Sequence, residues 1–166
     1  MSFQVNLFLF FFSVQFTLAT NCEVPSENNF TIIIPSNTQI EIVDSNSNYL
    51  QQSVICSVGG GWTSISGASW IWKVQNPSSY ETVYFRSKFY IYGVPSSGTI
   101  QVACDNSVQV YVNGIKVGCS GAGYGSVTSC NILSILKSGL NVVLFAALNE
   151  GGPGGLVFKI TTKAKL

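Results

Sequence analysis

The chain has 166 residues, 46% of them hydrophobic and only 9% charged, and Lys+Arg 8 against Asp+Glu 7 gives a net charge of +1. That length suits one ordinary domain, and the near-neutral balance offers no electrostatic footprint for nucleic acid or an anionic membrane. Histidine is absent, which excludes Ser-His-Asp, Cys-His and histidine–metal machinery.

Residues 1–19 are read apart from the fold. Leu7 to Phe12 is wholly apolar, Val14 to Leu18 mostly so, and Thr17-Leu18-Ala19 resembles a small-x-small cleavage site. This is the pattern of a secretory signal peptide, here without Lys or Arg in its first residues. An uncleaved anchor is the rival, opposed by Asn6, Ser13 and Gln15, which leave no apolar run of membrane-spanning length. Cleavage at Ala19 leaves 166 − 19 = 147 residues, expected as one secreted domain over 20–166 with no further membrane span. The sequon Asn29-Phe30-Thr31 agrees with an extracellular glycoprotein.

Turn-forming residues then punctuate short β-rich runs. Phe30–Ile34, Gln39–Val43 and Tyr49–Val58 read as strands, and Gly59-Gly60-Gly61 breaks the third. Trp70–Val74 follows, then Glu81–Tyr92, where Val83, Phe85, Ser87, Phe89 and Ile91 alternate with Tyr84, Arg86, Lys88, Tyr90 and Tyr92 as in a half-buried strand. Thr99–Cys104 precedes the hairpin SVQVYVNGIKVG (Ser107–Gly118), whose Asn113-Gly114 supplies the two φ > 0 positions of a type I′ turn. Asn131–Gly139 is the only helical hint. Leu140–Leu148 and Leu156–Thr162 close the chain as two apolar strands. About nine short strands at near-regular spacing predict an all-β antiparallel sandwich or jelly roll with one short helical turn.

Five cysteines follow the leader: Cys22, Cys56, Cys104, Cys119 and Cys130. Their spacing lacks a CxxC pair, so no metal site is expected, and two disulfides with one odd thiol is the default in an oxidising compartment. Cys119–Cys130, closing the Gly/Ser-rich loop CSGAGYGSVTSC, is the first choice and Cys22–Cys56 the second. Cys104, in TIQVAC, reads as a small buried apolar residue.

ASWIWKV (68–74), TVYFRSKFYI (82–91), IQVACDNSVQVYVNGIKVG (100–118) and ILSILKSGLNVVLFAALNEGGPGGLVFKI (132–160) occur in the order of one known group. Over 68–160 the chain resembles the galactose-binding-like jelly roll, in the form of the non-catalytic sugar-binding-type domain that accompanies β-galactosidases and α-L-rhamnosidases. The matched residues have structural readings. Asp105 would cap the turn through an Asx-type bond, Asn113 and Gly114 would form the hairpin turn, Gly139 would permit a corner, and Asn141 would bond backbone there. A second resemblance is to the lectin domain of yeast flocculins and bacterial toxins, in which two adjacent aspartates coordinate calcium. Here the pair is Asp105-Asn106, one charge short for an ion that takes several oxygen ligands, so a plain turn is the preferred reading and no cofactor is expected.

Glycoside hydrolysis needs two carboxylates at a set separation, and no spacing singles out a pair among Glu23, Glu27, Glu41, Asp44, Glu81, Asp105 and Glu150. Aromatics, 13% of the chain, are the better lead, because a pyranose stacks its C–H patches on an aromatic face. Trp62 and Tyr124, in Gly-rich loops, and Trp72, on one strand face with Trp70, are carbohydrate-binding candidates, with Glu150 in the turn 149–155 beside them. Packing over the sandwich end is the competing account of the loop pair, and core packing that of at least one strand tryptophan. The sequence is therefore read as a secreted, non-catalytic, lectin-like domain recognising a neutral glycan or glycoprotein. The alternative is an extracellular structural or adhesive subunit that forms homo-oligomers through strand edges or the odd cysteine.

Overall fold

The computed structural model describes residues 28–119 and 122–166. The expected leader 1–19 and Cys22 lie outside the described residues, and with them the Cys22–Cys56 pairing. Among the described residues there are eleven antiparallel strands: β1(Asn29–Pro35), β2(Glu41–Val43), β3(Tyr49–Gln52), β4(Val54–Ile55), β5(Ile71–Trp72), β6(Glu81–Ile91), β7(Val94–Val112), β8(Ile115–Val117), β9(Ala122–Asn131), β10(Gly139–Asn149) and β11(Gly155–Lys165).

Side-chain alternation sets the layers. In β6, Val83, Phe85, Ser87, Phe89 and Ile91 are buried while Tyr84, Arg86, Lys88 and Tyr90 point outward. In β10 the buried set is Asn141, Val143, Phe145, Ala147 and Asn149. A strand's two-residue period thus gives each sheet one face to the core. The first layer runs β3-β2-β6-β10-β7 with β8 beyond it. β11 pairs with β1, with β5 and with the other half of β7, which also takes β9. Phe145 of β10 and Phe158 of β11 stack across the gap with ring centroids 4.1 Å apart, and both are fully buried.

β7 is the strand that joins the layers. Val94–Asp105 pairs with β11, whereas Ser107–Val112 pairs with β10, so the chain passes from one sheet to the other at Asp105-Asn106. Two strands were expected here and one continuous strand is found. Tyr49–Val58, expected as one strand, is instead two, interrupted at Ser53, whose N–H donates to Ile40 O at 2.9 Å and whose hydroxyl donates to Asn37 O at 2.8 Å. The helical hint shrinks to a single 3-10 turn, Leu133–Ile135.

The hairpin turn has Asn113 at φ 50 and Gly114 at φ 84, as a type I′ turn requires. Asn113 also donates from Nδ2 to Ile135 O (3.0 Å) and to Asn141 Oδ1 (2.9 Å), and its Oδ1 accepts from Val142 N (3.0 Å). Asn141, fully buried, accepts from Lys137 N and donates to Lys137 O and Gly139 O. Together these bonds tie the hairpin tip to the 3-10 turn and to the start of β10.

β9 forms where a Gly/Ser-rich loop was expected. Its sequence carries little apolar alternation, and what holds it is backbone pairing to β7, from Thr99↔Asn131 to Ser107↔Ala122, and the Cys119–Cys130 disulfide, whose Cα atoms are 5.4 Å apart. Reduction of that bridge, or the double variant Cys119→Ser/Cys130→Ser, should cost about 2–3 kcal/mol for a closed loop of this size. Urea midpoints with and without reductant test this, and equal midpoints would show that the bridge is energetically idle. Cys56 and Cys104 are buried thiols. Burial pushes Cys56 up to about 11, and burial together with neighbouring Asp105 and Cys56 raises Cys104 further. Neither is presented for an intermolecular bridge in the folded chain, which removes these two residues from the odd-cysteine route to self-association. Among the described residues, no helix is long and apolar enough to cross a membrane.

Candidate functional site

Four segments meet at the end of the sandwich where β7 changes sheets. Asn106 accepts the backbone N–H of Glu150 on its Oδ1 at 2.7 Å, which ties the β10–β11 turn to the crossing point. The turn is shaped from within by buried Asn149, whose Nδ2 donates to Gly152 O and whose Oδ1 accepts from Gly151 N. Glu150 itself is exposed.

On the adjoining layer, the segment between β4 and β5 folds across the outside of β11. Gly155 makes this possible, since a Cβ there would come within 2.8 Å of Trp62 and 2.9 Å of Trp70. Trp62 meets Trp70 edge-on with centroids 4.4 Å apart and stacks on Tyr124 at 5.6 Å with 21° between planes. Trp70 Nε1 donates to Thr63 O (2.9 Å), and Thr63 N donates to Tyr124 O (2.7 Å), so backbone bonds hold the loop against β9. Trp62 is thus a half-buried wedge with a packing role. Tyr124, 43% exposed, is the ring of the pair that presents most surface to solvent.

The structure thereby brings Trp62 and Tyr124 together, and Glu150 reaches the same end through Asn106. Trp72 does not belong with them. It is 0% exposed, packs on Phe85 with centroids 5.6 Å apart and donates from Nε1 to Glu81 Oε1 at 2.9 Å. A ring with no free face cannot stack on a sugar, so the expectation for Trp72 is corrected to a core role. Asp105 is also corrected. It makes no Asx bond; it lies within β7 opposite Gly155, 8% exposed, with its carboxyl raised by burial.

Glu23 and Glu27 lie outside the described residues, and the remaining acids are held by their own neighbours. Glu41 engages Arg86 (Nε–Oε2 2.6 Å) and Lys88 (Nζ–Oε2 3.1 Å). Burial raises its carboxyl, but the hydrogen bonds and charges of those two cations outweigh this and the net shift is downward. Glu81 pairs with Lys73, and Asp44 accepts from Asn46 N, Asn48 N and Asn48 Nδ2. Among the described residues no group of three or more His, Cys, Asp or Glu could hold a metal. At the crossing point, Asp105 offers one carboxylate, and the Asn106 amide oxygen accepts from Glu150 N.

A second concave region lies on the outer face of the first layer. It is a groove of about 610 Å³ whose lining includes Tyr84, Arg86, Gln109, Tyr111, Leu144 and Ala146. The outward phase of Tyr84 is legible in the alternation of its strand. The floor is not, because the continuously apolar run Val142–Leu148 reads equally as a strand buried on both faces.

Solved structures share this architecture. The chain is similar to the Pleurotus ostreatus lectin in its apo form, at 24% identity and a TM-score of 0.54, over 74% of this chain and 41% of the lectin. It is similar to the α-L-rhamnosidase of Streptomyces avermitilis complexed with L-rhamnose, at 19% identity and 0.53, over 81% of this chain and 13% of the enzyme. A putative β-galactosidase from Bacteroides fragilis matches at 14% identity and 0.51, over 80% of this chain and 23% of that one. The chain therefore spans less than half the length of each. No family model and no curated protein matches it. The fold shared with these structures is an antiparallel β-sandwich, in keeping with the resemblance to the galactose-binding-like jelly roll, and such an architecture hosts many functions.

Proposed function

We propose that this chain is a secreted, non-catalytic, lectin-like domain that binds a neutral glycan at the end of the sandwich where β7 crosses between sheets. The observation that carries this reading is the stacked Trp62–Tyr124 pair. It leaves an aromatic face in solvent on the layer that adjoins the Glu150 turn. A pyranose laid on Tyr124 would set its C–H patch on the ring, and hydroxyls would bond to Glu150 and nearby backbone groups. The buried disulfide end at Cys119 supports an oxidising, extracellular setting, and Asn29, exposed at the start of β1, is open to glycosylation. Binding on this reading needs no metal.

Tyr124→Ala should weaken binding to the best ligand of a glycan array about tenfold, the scale of one lost stacking contact with its hydrogen bonds, while the lost stack on Trp62 lowers the melting temperature by only a few degrees. Retention of full affinity in Tyr124→Ala would reject this site. Loss of binding in EDTA with recovery in calcium would reject the metal-free form of the reading.

One observation favours the adhesive alternative. Tyr90 and Tyr92 touch with centroids 4.7 Å apart, and Leu140 opposite Tyr90 is exposed as well, so an apolar patch lies at the other end of the first layer. A concentration-dependent dimer that Tyr90→Ser dissolves, in a protein that binds no glycan, would establish that alternative.

A further inference from the structure

We infer that the outer face of the first layer is a second glycan site, and that its ligand is an oligosaccharide bearing a uronic-acid carboxylate. This goes beyond the loop-end reading and stands whether or not Tyr124 binds sugar. Strand register builds the groove. β10 supplies the floor through Val142, Leu144, Ala146 and Leu148, while β6 and β7 flank it on either side. One row across the sheet reads Tyr84–Ala146–Gln109 and the next Arg86–Leu144–Tyr111. Adjacent strands are about 4.8 Å apart, so the walls stand about 10 Å apart, with small Ala146 between taller neighbours. The two tyrosines therefore face the groove from opposite walls, one row or about 7 Å apart along it. A volume of about 610 Å³ lies within the range of small-ligand sites, roughly 300–1,000 Å³.

The lining selects a sugar over a peptide. An extended peptide binds a sheet by adding to a free edge, but both edges of β10 are already paired, to β6 and to β7. A peptide laid over Leu144 and Ala146 would leave its own N–H and C=O groups against apolar side chains. A pyranose chain instead has C–H faces for the floor and the tyrosine rings, and hydroxyls for the polar rim. Gln109 accepts from Tyr111 OH at 2.8 Å on its Oε1, which leaves its amide N–H groups without a partner among the described residues.

Charge sets the acid requirement. The row through Tyr111 extends across five strands as Glu41–Arg86–Leu144–Tyr111–Lys116, and Lys88 stands in the row beside it. Three cations thus face one carboxylate, 3 − 1 = +2 at this end. Asp44, in the turn that carries Ser47 of the groove wall, is bonded to Asn46 and Asn48 and keeps its charge, so this end together with that turn remains net positive by one. Arg86 uses Nε on Glu41 and Nη1 on Ser47 O, so its Nη2 remains for a ligand carboxylate. The exposed acid Glu150 lies beyond the opposite end, past Leu148, which orients the ligand with its carboxylate toward Arg86 and Lys88.

The test titrates the ¹⁵N-labelled protein with trisaccharides built on galacturonate, glucuronate or mannuronate and with their uncharged hexose counterparts. At least one uronate is expected to shift amides of β10 and the second half of β7, and to bind about tenfold or more tightly than its neutral counterpart, the scale of one charge-assisted contact. Lys88→Gln and Tyr111→Ala should each weaken that uronate about tenfold, and Tyr124→Ala should leave it unchanged. If Tyr111→Ala fails to fold, Gln109→Ala takes its place with the same expectation. Absence of binding by all three uronates, equal binding of a neutral counterpart, or shifts confined to Tyr124 and the 149–155 turn would overturn the inference.

Discussion

Trp72→Ala should lower the stability of the fold by about 3–5 kcal/mol, the cost of removing a fully buried aromatic side chain and leaving a cavity. The ring sits at 0% exposure on Phe85 and donates to Glu81, so the variant also strips Glu81 of a donor beside Lys73. Urea unfolding monitored by far-UV circular dichroism would measure it. Trp72→Phe keeps most of the packing and loses only the N–H bond, an expected loss of about 1–2 kcal/mol, with glycan affinity unchanged. A fall in affinity for Trp72→Phe without loss of stability would return Trp72 to the binding surface.

Asn141→Leu should be nearly as damaging, about 2–4 kcal/mol, although leucine has a similar size and suits a core. The replacement removes an acceptor for Lys137 N–H and Asn113 Nδ2, and a donor to Lys137 O and Gly139 O. Buried groups left without partners carry the penalty. Because Asn113 shares the network, Asn113→Ala combined with Asn141→Leu should cost less than the sum of the single changes. Strict additivity in the double-mutant cycle would mean that the two asparagines act independently.

These two positions mark what the sequence could disclose. The Asn113-Gly114 turn was legible because only a few residues accept φ > 0 twice in succession. The corner role of Asn141 was legible beside it, whereas the bond between the two side chains, |i−j| = 28, has no local signature. The core role of Trp72 has no local mark, because a tryptophan on an alternating strand looks the same whether its face meets solvent or a second sheet. β9 has none either, because a strand held by backbone pairing and a disulfide needs no apolar period. The strand position of Asp105 is equally hidden, since nothing local reveals that one strand serves both layers. Of the candidate site, Trp62 and Tyr124 were legible as large rings among glycines, but their contact joins two segments far apart in the chain. The groove required knowing which side of β10 faces out.

The pairing of β1 with β11 carries a consequence for presentation. Asn29 lies beside Lys165 and Gly155 lies at the far end of β11, ten residue steps or about 34 Å away at the rise of an antiparallel strand. The terminal strands therefore leave from one pole and Tyr124 stands toward the other. A surface or neighbouring module that holds the chain by either terminal strand would project the aromatic pole outward like the head of a probe. On the reading proposed above, a glycan attached at Asn29 would sit at the opposite pole from Tyr124.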